Sequence, residues 1–142
     1  MLFRSLGASL EPFAGNHSMG LTGEFLREDF ATGLDLFTDV LLNPAFRPES
    51  LERERAAQLA AIRGQRDKLL NCAFNAMRRG LFGPRGYGLD LVGTETSVHG
   101  LTPAALGAFH QRWTTPANGV LAVYGDIQSD AVVEAIQASL GS

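Results

Sequence analysis

The chain has 142 residues, a length that fits one domain with a hydrophobic core of its own. Hydrophobic residues make up 45% of it and charged residues 19%, a composition that excludes an intrinsically disordered chain. Its net charge of -3 offers no basic surface for nucleic acid. No apolar run reaches the ~18 to 20 residues of a membrane helix, so we expect neither nucleic acid nor membrane as a partner.

The first patterned segment, from Leu6 to Leu26, predicts a β-hairpin. In its second half, Met19, Leu21, Gly23 and Phe25 alternate with small or polar residues. Gly15 and Asn16 supply the turn in this interpretation, because both residue types tolerate a positive φ.

The rest of the chain predicts five helices and one further strand. Proline, asparagine and glycine mark most of the helix ends, and apolar residues recur at helical spacing within several helices. A continuous apolar run predicts a short buried strand over Val120–Tyr124, and the stretch from Gly83 to Gly100 is predicted to be a loop. The predicted helices cover residues 30–42, opened by Asp29, then 48–68, 69–81, 103–113 and 129–140.

This order of elements favours an α+β fold, in which helices cover one face of a mostly antiparallel sheet. We expect a single domain over residues 1–142. Two or three strands make a thin sheet, so we also expect further strands from sequence before residue 1, in a domain truncated at its N-terminus and belonging to a larger protein.

Six local patterns, in order, resemble the pitrilysin and insulinase-type metallopeptidases (the M16 family), which include the mitochondrial processing peptidase. Asn43-Pro44-Ala45-Phe46 is similar to the family's "NP-x-F", and Glu52-Arg53-Glu54-Arg55 to its "ERER" helix. The other four are Gly86-Tyr87-Gly88, Gly93-Thr94-Glu95, Leu101-Thr102-Pro103 with Pro116-Ala117-Asn118, and Val123-Tyr124-Gly125-Asp126.

The resemblance implies an α+β domain of the LuxS/MPP-like metallohydrolase type. It also implies a catalytic zinc site whose ligands come from two segments of the chain. An inverted motif, His-x-x-Glu-His, supplies two histidine ligands and a glutamate that activates the zinc-bound water. A third ligand, a glutamate, lies on the "ERER" helix, seven residues after the second glutamate of that motif. The sequence contains no His-x-x-Glu-His, and the segment that would carry it lies before residue 1.

The third-ligand position falls on Ala61, seven residues after Glu54. In a helix the two positions differ by about 20° in direction, so they share a face. Alanine cannot bind zinc, and no acidic residue occurs between Arg55 and Asp67. We therefore predict no metal ligand and no catalytic residue in this chain. Two interpretations of Glu54 stay open: a residue retained from a former catalytic site, or a solvent-exposed acid on the helix.

The resemblance implies a non-catalytic domain of a bacterial zinc metalloendopeptidase. We expect it to form part of a substrate chamber for peptides and to contact a catalytic half, in cis or in trans, that carries the zinc. The alternative is a structural subunit without proteolysis, similar to the core proteins of respiratory complex III. A third option is an active half whose third ligand comes from elsewhere, which needs a His-x-x-Glu-His just upstream of residue 1. The sequence does not decide between a periplasmic and a cytoplasmic localisation.

Overall fold

The computed structural model describes residues 8–140 of the chain. Within that range the order of elements is a β-hairpin followed by helices, with short 3-10 turns at Arg27–Asp29, Gly86–Gly88 and Pro116–Asn118. The strands are β1 (Ser9–Ala14) and β2 (Met19–Glu24). The α-helices are α1 (Phe30–Leu42), α2 (Pro48–Gln65), α3 (Leu69–Phe82), α4 (Glu95–His99), α5 (Pro103–Trp113) and α6 (Ser129–Leu140).

The chain divides into two compact units. The first comprises the described parts of Met1–Phe13, Met19–Ala45 and Gln111–Ser142, and the second comprises Ala14–Ser18 and Phe46–His110. The fold class is confirmed as α+β, because helices accompany a two-stranded sheet of hydrogen-bonded neighbours. That residues 1–142 form one domain stays a prediction.

The predicted hairpin is confirmed, with Leu6 lying outside the described residues. The four-residue connection between β1 and β2 is closed by the Gly15 amide, which donates to the Ser18 carbonyl at 2.7 Å. Neither Gly15 nor Asn16 has a positive φ, so the predicted reason for this turn is wrong. A four-residue connection can be built around an ordinary turn and does not need the left-handed conformation that a two-residue turn demands.

Helix α1 begins at Phe30 and ends at Leu42, as predicted. Asp29 precedes it without forming a side-chain cap, because the helix continues from the 3-10 turn at Arg27–Asp29. At the other end, the Asn43 side-chain amide donates to the Asp39 carboxylate at 3.0 Å and its backbone amide donates to the Asp39 carbonyl. The backbone bond satisfies the Asp39 carbonyl, one of the last four of the helix, and the side-chain bond holds Asn43 against the final turn.

In the first unit, α1 packs against β2 and against α6. The Phe25 ring lies over Gly33, where an added Cβ would be 2.5 Å from the ring atoms Cγ and Cδ1. Glycine at this position therefore admits the aromatic ring to the helix surface. Leu34 and Val132 are buried in this unit.

The predicted strand at Val120–Tyr124 is wrong. The segment has no regular structure, and the side chains of Val120 and Tyr124 are 99% and 87% exposed. A strand forms only when its backbone N–H and C=O groups find a neighbouring strand. The described residues offer only the β1–β2 pair, and this apolar run is not hydrogen-bonded to it.

The predicted loop from Gly83 to Gly100 is also wrong in part, because residues 95–99 form α4. Thr94 and Ser97 make a reciprocal cap: the Thr94 hydroxyl accepts from the Ser97 amide at 3.1 Å, and the Thr94 amide donates to the Ser97 hydroxyl at 3.0 Å. Short polar residues predict a loop here, whereas Thr94 and Ser97 start a helix. No helix within residues 8–140 is long and apolar enough to cross a membrane.

Candidate functional site

The site implied by the sequence lies on α2. Pro48 stands in its first turn, where the missing amide hydrogen costs nothing, and Glu49 complements the helix dipole. The helix ends at Gln65, three residues before the predicted end. Its inner side carries Leu59 and Ile62, which pack with Val98 in the core of the second unit.

Glu54 and Ala61 both lie on the exposed side of α2. The Glu54 carboxylate is 71% exposed, and its ion pair is with the adjacent Arg53, at 3.3 Å. This contact is local to the helix and turned toward solvent, which favours the interpretation of Glu54 as a solvated acid. Ala61 has neither an oxygen nor a nitrogen on its side chain, so the position offers nothing to a cation.

The described residues do not fit a zinc site. Between residues 8 and 140, no group of three or more His, Cys, Asp and Glu side chains is arranged to hold a metal ion. The three histidines stand on separate elements: His17 in the hairpin turn, His99 at the end of α4 and His110 in α5. A catalytic zinc site requires three protein ligands converging on one ion. The prediction that this chain holds no metal ligand remains open to metal analysis.

Arg55, the last residue of the "ERER" pattern, is the main feature that the sequence did not reveal. Its side chain is only 12% exposed and its guanidinium points into the second unit. There it donates to the Val98 carbonyl and, at 2.7 Å, to the Leu101 carbonyl. Glu52, one turn earlier on α2, holds the same guanidinium at 3.2 Å. Arg55 thus joins α2 to the last turn of α4 and to the residues that follow it.

Other side chains on α2 and just beyond it attach the segment from Asp90 to Glu95. Gln58 donates to the Val92 carbonyl at 2.9 Å, and Arg66 pairs with Glu95 at 3.2 Å. Gly93 has a φ of +76°, which suits glycine and allows the chain to turn into α4. The family-like pattern Gly93-Thr94-Glu95 therefore has a structural explanation: a turn, a helix cap and an ion pair with Arg66.

The Gly86-Tyr87-Gly88 pattern is held by α3 and by the hairpin turn. Arg78 donates to the Tyr87 carbonyl at 2.8 Å and to the Asn16 side-chain oxygen at 3.1 Å. The His17 ring meets the Tyr87 ring edge-on, with 4.6 Å between their centroids. This cluster fixes a turn, and it has no arrangement of nucleophile and base.

The second unit has two surface depressions along α2 and α3. The larger, of about 500 Å³, lies along Ile62, Arg66, Cys72 and Glu95, and the smaller, of about 230 Å³, lies along Arg78, Arg79, Leu89 and Asp90. Neither is lined by Glu54 or Ala61. The exposed side of α2 at these two residues is therefore not part of either depression.

Similarity to known proteins identifies the family of this chain. The family model described as insulinase, peptidase family M16, matches residues 2–95, about two thirds of the chain. The chain belongs to this family. The M16 resemblance inferred from the motifs is thereby confirmed, although membership alone does not distinguish an active domain from an inactive one.

The relatives are bacterial. A protein described as an uncharacterized zinc protease of Mycobacterium leprae is 29% identical over 138 residues, covering 97% of this chain and 31% of that protein. A similarly described protein of Streptomyces coelicolor is 23% identical, covering 95% of this chain and 29% of that protein. The chain thus spans about a third of the length of the curated relatives it matches.

Among solved structures, the crystal structure of an M16-like peptidase from Alicyclobacillus acidocaldarius superposes with a TM-score of 0.80. The match covers 99% of this chain and 33% of that one, at 19% sequence identity. At this identity the likeness concerns the fold, and it supports the α+β assignment of the M16 domain.

Proposed function

We propose that this chain is a non-catalytic part of an M16 zinc metalloendopeptidase. In this proposal it contributes to the wall of a chamber for unfolded peptides and contacts a catalytic half that carries the zinc. The observation that carries the proposal is Ala61, exposed on the same helix side as Glu54, where the family's third ligand would stand. The names of the bacterial relatives, zinc proteases about three times as long, support a role within a larger peptidase.

The environment of α2 supports the same proposal. A position that binds zinc needs an oxygen donor aimed at the ion and held there by neighbouring groups. The exposed stretch around Ala61 consists of Ala57, Ala60 and Ala61, with Gly64 one turn further. The polar side chains of α2 that bind other segments are instead Arg55 and Gln58. They donate to the Leu101 and Val92 carbonyls and stabilise the fold of the second unit.

A peptidase assay tests the proposal. We expect the purified chain to leave casein and an unstructured fluorogenic peptide intact, with or without added zinc. Combined with the His-x-x-Glu-His-bearing M16 chain from the same reading frame or a neighbouring gene, it should support hydrolysis that a chelator abolishes.

Two variants sharpen this assay. Glu54→Gln in this chain should leave the rate of the combined proteins unchanged, because the carboxylate faces solvent. The same exchange in the partner's His-x-x-Glu-His should abolish hydrolysis. Activity of this chain alone would overturn the proposal. Combined proteins that associate but never hydrolyse peptide would instead favour the structural, non-proteolytic subunit.

A further inference from the structure

Phe46, the last residue of the "NP-x-F" pattern, has a backbone conformation that its residue type rarely adopts. Its φ is +38°, and between residues 8 and 140 no other residue except glycine has a positive φ. In the left-handed region the Cβ of an L-residue crowds its own backbone, so a bulky residue there is strained. Glycine would occupy this position without strain. The chain has phenylalanine instead, so we expect the ring to make a contact that offsets the strain.

The neighbouring prolines explain why the strain falls on Phe46. Pro44 and Pro48 have fixed φ angles, and each proline also disfavours the helical conformation in the residue before it. Arg47 is accordingly extended, with a φ of -62° and a ψ of 134°. In the connection from α1 to α2, only Ala45 and Phe46 are restrained by neither effect. The left-handed backbone lies at the second of these two residues.

The Phe46 ring contacts the ring of His110 on α5. The ring centroids are 5.9 Å apart and the ring planes are inclined at 67°, an edge-to-face arrangement. Both residues are half-buried. They are also the two ends of one stretch of the second unit, which includes 46–110, whereas Ala45 and Gln111 belong to the first unit. The ring contact therefore closes this stretch at its ends.

We propose that Phe46 and His110 form a strained clasp that can open while the rest of the second unit stays folded. An edge-to-face aromatic pair and a left-handed backbone at a residue other than glycine each change an equilibrium constant by a factor on the order of ten, in opposite directions. The clasp is consequently closed with little net free energy. When it opens, Phe46 returns to an ordinary φ and the start of α2 loosens. The clasp is independent of the peptidase role, because it involves neither Glu54 nor Ala61.

The test is amide hydrogen exchange of the full chain. The reporter is the Leu51 amide, which donates to the Arg47 carbonyl at 3.0 Å at the start of α2. Phe46→Ala should accelerate its exchange about three- to tenfold, because the ring contact is lost while the strain remains. His110→Ala should accelerate it by a similar factor for the same reason. The double variant should add little to either single one, since both remove the same contact.

Phe46→Gly distinguishes a strained clasp from a simple loss of packing. It removes the ring and the strain together, so it should accelerate exchange at Leu51 at least about twofold less than Phe46→Ala. Phe74, which lies in α3 with a helical backbone, is the matched control. There the order should be the ordinary one, with Phe74→Gly loosening the amides of α3 more than Phe74→Ala. The Leu89 amide, bonded to the Gly86 carbonyl at 3.1 Å in the same unit, should keep its wild-type rate in the Phe46 and His110 variants.

Four results would overturn the proposal. Unchanged exchange at Leu51 in Phe46→Ala and His110→Ala would show that the ring contact closes nothing. Faster exchange in Phe46→Gly than in Phe46→Ala would show that the backbone is not strained. Equal acceleration at Leu89 would show that the opening is global. A variant that circular dichroism shows to be unfolded would contradict a clasp with little net free energy.

Discussion

Replacing Arg55 by alanine should lower the free energy of unfolding by about 2–3 kcal/mol. The Arg55 side chain is only 12% exposed, and its guanidinium donates to the carbonyls of Val98 and Leu101. Its removal takes the charged donor from both carbonyls and loosens the attachment of α2 to α4 and the residues after it. Urea unfolding followed by circular dichroism, with the slope of the transition checked for constancy, measures the loss.

The matched control is Arg53→Ala, two residues earlier on the same helix. Arg53 is 74% exposed and pairs only with its neighbour Glu54 among the contacts described, so its loss should change stability by less than about 0.5 kcal/mol. Arg55→Lys should recover less than half of the stability lost in the alanine variant, because a single ammonium cannot span two carbonyls as the planar guanidinium does. Equal, small losses for Arg53→Ala and Arg55→Ala would contradict the structural role given to Arg55.

Replacing Gly88 by alanine should cost about 2–4 kcal/mol. An added Cβ would collide with the Gly83 carbonyl oxygen and lie 3.0 Å from the Gly83 carbonyl carbon. These are backbone atoms, so no change of rotamer relieves the collision. The turn would have to open, and with it the bond from the Gly88 amide to the Arg85 carbonyl at 2.9 Å.

Gly64→Ala is the control for this variant. An added Cβ at Gly64 meets nothing within 4 Å, and alanine in a helix is more favourable than glycine, so stability should rise by about 0.5–1 kcal/mol. Hydrogen exchange of the amides at residues 83–90 should accelerate in Gly88→Ala and stay unchanged in Gly64→Ala. Unchanged exchange and unchanged stability in Gly88→Ala would show that the close approach at Gly83 does not hold the turn.

The helices were largely predictable because their signals are local. Pro48 and Thr102-Pro103 start helices, and Asn43-Pro44 and Gly83-Pro84 end them, within a residue or two of the predicted bounds. The sequence pattern predicts the end of α2 too late, because Arg66-Asp67-Lys68 has the composition of a helix while the chain turns there. Propensity alone cannot place such an end, because the turn depends on how the next helix packs.

Features that depend on distant neighbours were not predictable from the sequence. The apolar run at 120–124 has the composition of a strand, but pairing requires a partner strand that the pattern cannot supply. The sequence pattern predicts Arg55 to be one more charge on a solvent-exposed helix side, because nothing in the Glu-Arg repeat distinguishes it from Arg53. Only the position of α4, some 40 residues later, makes it a buried donor.

The family assignment was predictable, since short motifs in a fixed order carry it, and the match over residues 2–95 confirms it. Several of those motifs have structural reasons in this chain: Gly93 turns into α4, Glu95 pairs with Arg66, and Gly88 approaches Gly83. Motifs with such structural roles can therefore persist whether or not a domain keeps its metal ligands. This is consistent with a domain that keeps the M16 framework while the proposed catalytic chemistry resides elsewhere.

The central claim is that this chain binds no zinc, because Ala61 supplies no ligand and the sequence contains no His-x-x-Glu-His; zinc stoichiometry tests it most directly. The purified full chain would be incubated with excess zinc, dialysed, and analysed by mass spectrometry of the metal, beside an Ala61→Glu variant. We predict less than about 0.1 zinc per chain for the wild type, and no full site in the variant, because a single restored carboxylate falls short of three ligands. About one zinc per wild-type chain after dialysis would contradict the account.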